Sequence, residues 1–379
     1  MGVFMFEYND SLSALNTDSP LLEKLQRIHD TLLVHFDAVS RIAVALYDPK
    51  TDLLKTFIHS SGDDQPLSHY QAFLSEAPSL MEIVKTGKPR VVNDMTVFAG
   101  GEHEHTQKIA VQGYGSSYTL PMYMSGHLFG FVFFDSYQKN AMTEELLHFL
   151  DVIGHLVSLM VMNEIAAVRT LVSTVQAARD MAHLRDTETG AHLDRMSHFS
   201  RIIARELAPV HGYNDEFVEY VFLFSPLHDI GKIGIPDSIM LKNGRLTDAE
   251  YEIMKTHTIK GRQIIDTILK GFALEGFQHI DMLRNIAEFH HETLDGKGYP
   301  QGLSGDEIPI EARIIAVADV FDALTSRRPY KKAWSNEDAF QNLFALADIK
   351  LDRQCIEALV NNRAEIEAIQ AQFKEEVFA

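Results

Sequence analysis

The sequence holds a single cysteine, Cys355, among 379 residues. One thiol cannot close an internal disulfide, and it fits a reducing compartment. Long apolar runs are also missing. Leu156 to Met162, broken only by Ser158, falls far short of the roughly 20 residues a membrane span needs. The N-terminus, M-G-V-F-M-F-E-Y-N-D, lacks a basic start followed by an apolar stretch, so it does not read as a signal peptide. Met1-Gly2 opens like a myristoylation site, but Phe6 stands where Ser or Thr is needed. Basic residues are scarce: 34 Lys and Arg stand against 53 Asp and Glu, a net charge of −19. That balance argues against a general binder of polymeric nucleic acid or of anionic membranes. A cytoplasmic chain without membrane attachment is expected. Hydrophobic content of 46% and charged content of 23% are ordinary for a globular protein, and the length suffices for two domains with their own cores.

Taken in order, residues 1–19 are polar and irregular and read as a tail. Leu21 to Phe36 repeats apolar residues at helical spacing after Pro20. Arg41 to Tyr47 and Leu53 to His59 read as paired strands around an Asp48-Pro49 turn. Ala77 to Lys85 reads as a short helix closed by Gly87, and Arg90 to Asn93 as a further strand. Ser117 to Tyr123 and His127 to Asp135 form a predicted hairpin around Ser125-Gly126. From Thr143 to about His183 the pattern is one long helix. Its apolar residues, Leu146, Phe149, Leu150, Ile153, Leu156, Val157, Met160 and Val161, recur at three- and four-residue steps and continue through Val168, Leu171, Val172 and Val175. The stripe reads either as a core helix on its own sheet or as a coiled coil pairing two chains. With no Pro or Gly run between the halves, the linker is expected to be helical.

This element order resembles a GAF domain, an antiparallel sheet flanked by helices, on the segments K-T-G-K-P-R-V-V-N-D and T-L-P-M-Y-M-S-G-H-L-F-G-F-V-F-F-D-S. The resemblance spans residues 20–160 and implies a sensory or dimerising module of unknown ligand, hence a homodimer through this domain and a connecting helix at 143–183. His103 and His105 read as a solvated loop rather than a metal site.

The second half is rich in histidine and carboxylate. Eighteen histidines would give roughly 0.8 adjacent His-His pairs by chance, so the pair His290-His291 alone proves little. Other candidates recur at sensible spacings. Glu188 and His192 are four apart and stack on one face of a helix. His192 also lies in line with Met196, Phe199 and Ile203, where a lone histidine is more often a core residue. His228-Asp229 gives an imidazole and a carboxylate from neighbouring residues, and Lys232 follows one turn later among Ile230, Ile233 and Ile235. Thr247 to Glu250 is a capping box opening a helix that is expected to run on to His257. Ile308-Pro309 starts another helix, on which Ile315, Asp319 and Asp322 share a face. An aspartate on an apolar face costs several kcal/mol unless it is paired or ligates a metal. Each residue has a structural reading taken singly. Together on buried faces they point to a polynuclear metal site, for which imidazole and carboxylate without thiolate suit iron, manganese or zinc.

H-D-I-G-K-I-G-I-P, H-H-E-T-L-D-G-K-G-Y-P and I-P-I-E-A-R-I-I-A-V-A-D-V-F-D-A-L-T-S-R-R-P-Y resemble the HD-GYP family of helical HD phosphohydrolases. The likeness covers roughly residues 165–370, with a catalytic domain at 184–372. It implies an α+β GAF-like domain joined by a long helix to an all-α HD-type bundle. It further implies hydrolysis of cyclic di-GMP to pGpG, and on to GMP, by two or three divalent ions, iron or manganese. The implied metal ligands are Glu188, His192, His228, Asp229, His257, His290, His291 and Asp319. Lys232, Arg328 and Lys331 match phosphate-contacting positions, and Gly298, Tyr299 and Pro300 form the signature loop at the substrate. Asp229 and Lys232 are the expected catalytic pair. The segment between His257 and His290 is longer than is usual in the family, which leaves His279 as a rival to His257. A non-catalytic cyclic-dinucleotide receptor on the same fold is the main alternative. Another HD-type nucleotide phosphohydrolase and an oxygen-sensing di-iron protein are further ones.

Overall fold

The computed structural model describes residues 10–61, 67–98, 112–182, 190–271, 278–326 and 333–374. The chain divides into two units, Met1–Ala166 and Ala167–Ala379.

The first unit is built on six antiparallel strands in the order β3-β2-β1-β6-β5-β4. Helix α1 (Leu21–His35) begins after Pro20 and leads into β1 (Arg41–Asp48) and β2 (Leu53–Ser61). The short β3 (Gln71–Phe73), which the sequence pattern did not reveal, pairs with the start of β2. Helix α2 (Pro78–Thr86) ends at Gly87 in the left-handed conformation, and β4 (Arg90–Val92) follows. β5 (Ser116–Met124) and β6 (His127–Ser136) form the hairpin. Its two-residue turn has positive φ at both Ser125 and Gly126, the twist that matches paired strands.

Helix α3 (Glu144–Ala182) buries Leu146, Leu150, Ile153, Val157 and Val161. A Cβ on Gly154 would stand 2.6 Å from Leu120 of β5 and 3.4 Å from Phe134 of β6, so the helix lies directly on the sheet. This packing corrects one expectation. The stretch Glu144–Thr174, at a mean hydropathy of 1.6, is long and apolar enough to cross a membrane by length and composition. Counting uninterrupted runs misses it because polar residues punctuate the stripe. Part of its apolar surface packs on the sheet at Gly154, while Val152 and Leu159 stay 67% and 63% exposed.

The second unit is helical: α4 (Gly190–His211), α5 (Asp215–Phe224), α6 (Asp237–Met240), α7 (Asp248–Lys255), α8 (His257–Gly271), α9 (Ile280–Phe289), α10 (Ile310–Thr325), α11 (Asn336–Leu346), α12 (Arg353–Val360) and α13 (Arg363–Gln372). The capping box at Thr247 and Glu250 is formed. The single helix expected from there to His257 is instead two. Thr256 bonds back to Ile253 O through its N–H at 3.1 Å and its hydroxyl at 2.6 Å, which tightens the chain and starts α8 afresh at His257. Cys355 is buried in α12.

Leu150 is fully buried. Leu150→Ala is expected to cost the first unit about 2–5 kcal/mol, read as an earlier urea transition by circular dichroism. An unchanged midpoint would mean α3 does not hold the sheet.

Candidate metal centre

Five chain segments meet at the centre of the second unit. α4 supplies His192, with Met196, Phe199 and Ile203 fully buried along the same stripe. After α5, a short turn delivers His228 and Asp229, and a second turn, Ile230–Gly234, carries Lys232. α8 contributes His257 from its first position, His290 and His291 follow α9, and α10 brings Asp319.

Close backbone approach makes this convergence possible. A Cβ on Gly231 would stand 1.8 Å from the carbonyl oxygen of His257 and 2.4 Å from Gly261 N. Only glycine lets the turn after Asp229 lie against the first turn of α8. That contact sets His257 beside Asp229.

The donors fall into two groups. Asp229, His257, His290 and His291 bring candidate ligand atoms within 4.8 Å of one another, and so do His192, His228 and Asp319. Asp229 stands between them. Its Oδ1 lies 3.1 Å from His257 Nε2 and 3.6 Å from His290 Nε2, while Oδ2 lies 3.3 Å from His228 Nε2 and 2.6 Å from Lys232 Nζ. Asp229 thus offers one oxygen to each group.

Ring orientation is fixed from behind. Nδ1 of His228, His257 and His290 donates to the carbonyl oxygens of Ser225, Met254 and Ile286 at 2.8, 2.8 and 2.9 Å. A carbonyl can only accept, so each Nδ1 carries the proton and each neutral ring turns its Nε2 lone pair inward. His192 Nδ1 donates to Asp322 Oδ2 at 2.6 Å instead. Burial pulls the pKa of His290 down, and burial with the neighbouring His290 pulls His291 well down, which keeps both rings neutral as ligands must be.

Asp229 Oδ1, His257 Nε2 and His290 Nε2 are buried acceptors without a hydrogen bond among the described residues. Three acceptors facing one another need a cation or a proton between them. Burial opposes the charge on Asp229, yet the Lys232 ammonium beside it outweighs that cost and holds the carboxyl well below its usual range. The donor set therefore fits divalent first-row cations.

Lys232 is partly exposed beside the cluster. Ile230 and Ile235 are buried around it, but Ile233 is 36% exposed, so the apolar environment expected on all three sides exists on two. Gly298 lets the signature loop fold onto Glu292 and Thr293, where a Cβ would come within 2.5 Å of Glu292 Cα. Glu292 is buried, and its Oε1 accepts from the N–H groups of Gln301 and Gly302, just past Pro300, at 2.7 and 3.0 Å. Tyr299 is thereby laid over His291, ring centres 4.8 Å apart. His279 is elsewhere, stacked 4.2 Å from Tyr220, so the structure places His257 rather than His279 at Asp229. Glu188, Arg328 and Lys331, like His103 and His105, lie outside the described residues.

Two supporting residues escaped the sequence reading, and a third, Asp322, was seen on its helix face without a role. Asp322 is fully buried and binds Arg195 through both oxygens, at 2.6 and 2.9 Å, besides His192. Burial works against its charge, but His192 and Arg195 prevail and lower its pKa. Arg195 also donates to Phe373 O at 2.9 Å, tying the end of α13 to the site. Asp322 three residues past Asp319 was the available signal, but its partners are 127 and 130 positions away. Glu292 had none beyond its place next to His291.

Asp322→Asn keeps the shape but removes the charge that orients His192. Divalent-cation affinity is expected to fall about 10–100-fold, measured by competition with a chelator. Equal affinity would show that His192 needs no such support. Gly231→Ala should lower bound metal on purification by forcing the turn off α8; full occupancy in a folded variant would contradict the close-approach argument.

A GAF domain model matches residues 20–162, and an HD domain model matches residues 167–355. The cyclic di-GMP phosphodiesterase response regulator RpfG of Xanthomonas campestris pv. campestris is 45% identical over 189 residues, 50% of this chain and 47% of that protein. A cyclic di-GMP phosphodiesterase of Thermotoga maritima is 41% identical over 196 residues, 52% of this chain and 50% of that one. The 3′3′-cGAMP-specific phosphodiesterase 2 of Vibrio cholerae is 37% identical over 187 residues, 49% of this chain and 34% of that one. The chain thus spans about half, or less, of the length of these curated relatives. Along the chain a GAF domain match is thus followed by an HD domain match.

Proposed function

We propose that the second unit is a metal-dependent phosphodiesterase that hydrolyses cyclic di-GMP to pGpG, and further to GMP. The observation that carries this reading is Asp229, with one oxygen toward His257 and His290 and the other toward His228 and Lys232. Relatives 45% and 41% identical bear the name of this activity and support the substrate.

His192, His228, Asp229, His257, His290, His291 and Asp319 would hold two divalent ions, iron or manganese, with Glu188 adding a carboxylate for a third. Bound there, the ions supply Lewis acidity toward the phosphodiester and activation of the attacking water. The chain does the rest. Asp229, kept ionised, and His290 and His291, kept neutral by burial, hold donors ready at neutral pH. Lys232 places a fixed ammonium beside the cluster for the charge that builds on phosphate oxygens as the bond to the 3′ oxygen breaks. Arg328 and Lys331 take the second phosphate, Arg with a two-pronged grip. Gly298, Tyr299 and Pro300 wall the substrate against His291. These local cations offset the acidity of the chain toward a dianionic substrate.

In this reading residues 20–160 act as the GAF-like sensor, 143–183 as the connecting helix and 184–372 as the catalytic domain. The chain works in the cytoplasm as a homodimer. Val152 and Leu159, seven residues apart on α3 and 67% and 63% exposed, favour pairing along that helix.

Asp229→Ala is expected to abolish hydrolysis of cyclic di-GMP and to deplete bound metal, measured on anaerobically purified protein by nucleotide chromatography and elemental analysis. Full turnover in that variant would overturn the assignment. 3′,3′-cyclic GMP-AMP belongs in the same assay, since one relative is named for it. Tight binding of cyclic di-GMP without turnover under manganese or ferrous iron would make the protein a receptor instead.

A further inference from the structure

The first unit contains a cavity of about 90 Å³ that is partly open to solvent. Leu54, Leu80, Met95, Phe98 and Phe133 contribute to a largely apolar wall. Arg41, Arg90 and Asp135 also line it. The carboxylate is fully engaged: Oδ2 accepts from Arg41 and Oδ1 from the Ser117 hydroxyl, both at 2.8 Å.

Arg90 has only neutral partners. It donates to Ser79 Oγ at 2.6 Å and Thr119 Oγ1 at 2.9 Å, and it lies 5.7 Å from the centre of the Phe98 ring. Its buried Nε–H has no acceptor, and it meets no carboxylate among the described residues. Burial lowers its pKa to about 10, against a smaller opposing pull from Asp135. A guanidinium nevertheless stays charged at neutral pH. Among the described residues the cavity therefore carries one uncompensated positive charge in apolar surroundings, where an anion would relieve the cost of desolvation. The start of α2 adds to the same sign: Ser79 and Leu80 line the cavity, and Ala77 at the N-cap offers no side-chain acceptor.

We propose that this cavity binds a small organic anion, an aliphatic or aromatic monocarboxylate whose body fills the apolar wall and whose carboxylate pairs with Arg90. Two of the five guanidinium N–H groups serve hydroxyls, leaving donors in a planar fork suited to a carboxylate. A neutral ligand would leave the charge exposed to apolar neighbours, and a cation would add repulsion. A dianionic phosphate would overshoot a single net charge. No residue is shared with the histidine cluster, so the inference stands apart from the phosphodiesterase reading.

The test is calorimetric titration and thermal unfolding of the full chain with hexanoate, benzoate and indole-3-acetate, each beside its neutral amide. At least one acid is expected to raise Tm and to bind at least tenfold more tightly than its amide. Arg90→Met should erase that tenfold preference and leave amide binding unchanged, with circular dichroism confirming the fold. Arg90→Lys, which keeps the charge but not the fork, should weaken the acid several-fold; it also serves if the Met variant does not fold. Acids that bind no better than their amides would overturn the proposal, as would undiminished acid binding in both variants.

Discussion

The second unit depends on one buried carboxylate. Asp229 is 7% exposed, yet both its oxygens face basic groups, two imidazole nitrogens on one side and an imidazole and an ammonium on the other. A buried ion costs several kcal/mol unless its surroundings replace water. Here the surroundings are drawn from α8, the end of α9 and the turn after α5, so these segments must be docked before the charge can be accommodated. The electrostatics of Asp229 and the packing of the unit are two views of the same constraint.

Neighbouring devices serve that constraint. Gly231 removes the side chain that would separate the His228-Asp229 turn from α8. Backbone carbonyls one turn back hold three imidazoles by Nδ1, and Asp322 holds the fourth. Holding each ring by its outer nitrogen decides which nitrogen faces inward, and so turns a set of histidines into a set of lone pairs. Buried Glu292 does the corresponding work for the loop, grasping two backbone N–H groups so that Tyr299 rests on His291.

The first unit places charge differently. Its Arg41 and Asp135 neutralise one another across β1 and β6, whereas Arg90 on β4 has hydroxyl partners alone. Both units thus keep charged groups in sparingly hydrated places, one balanced by neighbours of opposite sign and the other left positive. A chain with a net charge of −19 can hold anions in such places because local fields, not the sum, govern a bound group.

Much of this was legible in the amino-acid order. Apolar periodicities marked α1, α2, α3 and the hairpin, since period and turn chemistry are local properties. Histidine and carboxylate spacing singled out Glu188, His192, His228, Asp229, His257, His290, His291 and Asp319 as candidate ligands. What local pattern could not express was the division of these residues into two groups with Asp229 between them. Nor could it express the pairing of Asp322 with His192 and Arg195, the break at Thr256, or the position of Arg90 in a cavity. Each of those depends on atoms brought together across a hundred residues or on which hydrogen-bond acceptor a side chain finds first. Residue types and their spacing determined the chemistry available to this protein; tertiary packing decided which atoms face one another, because lone pairs and charges act over a few ångströms of space and not along the chain.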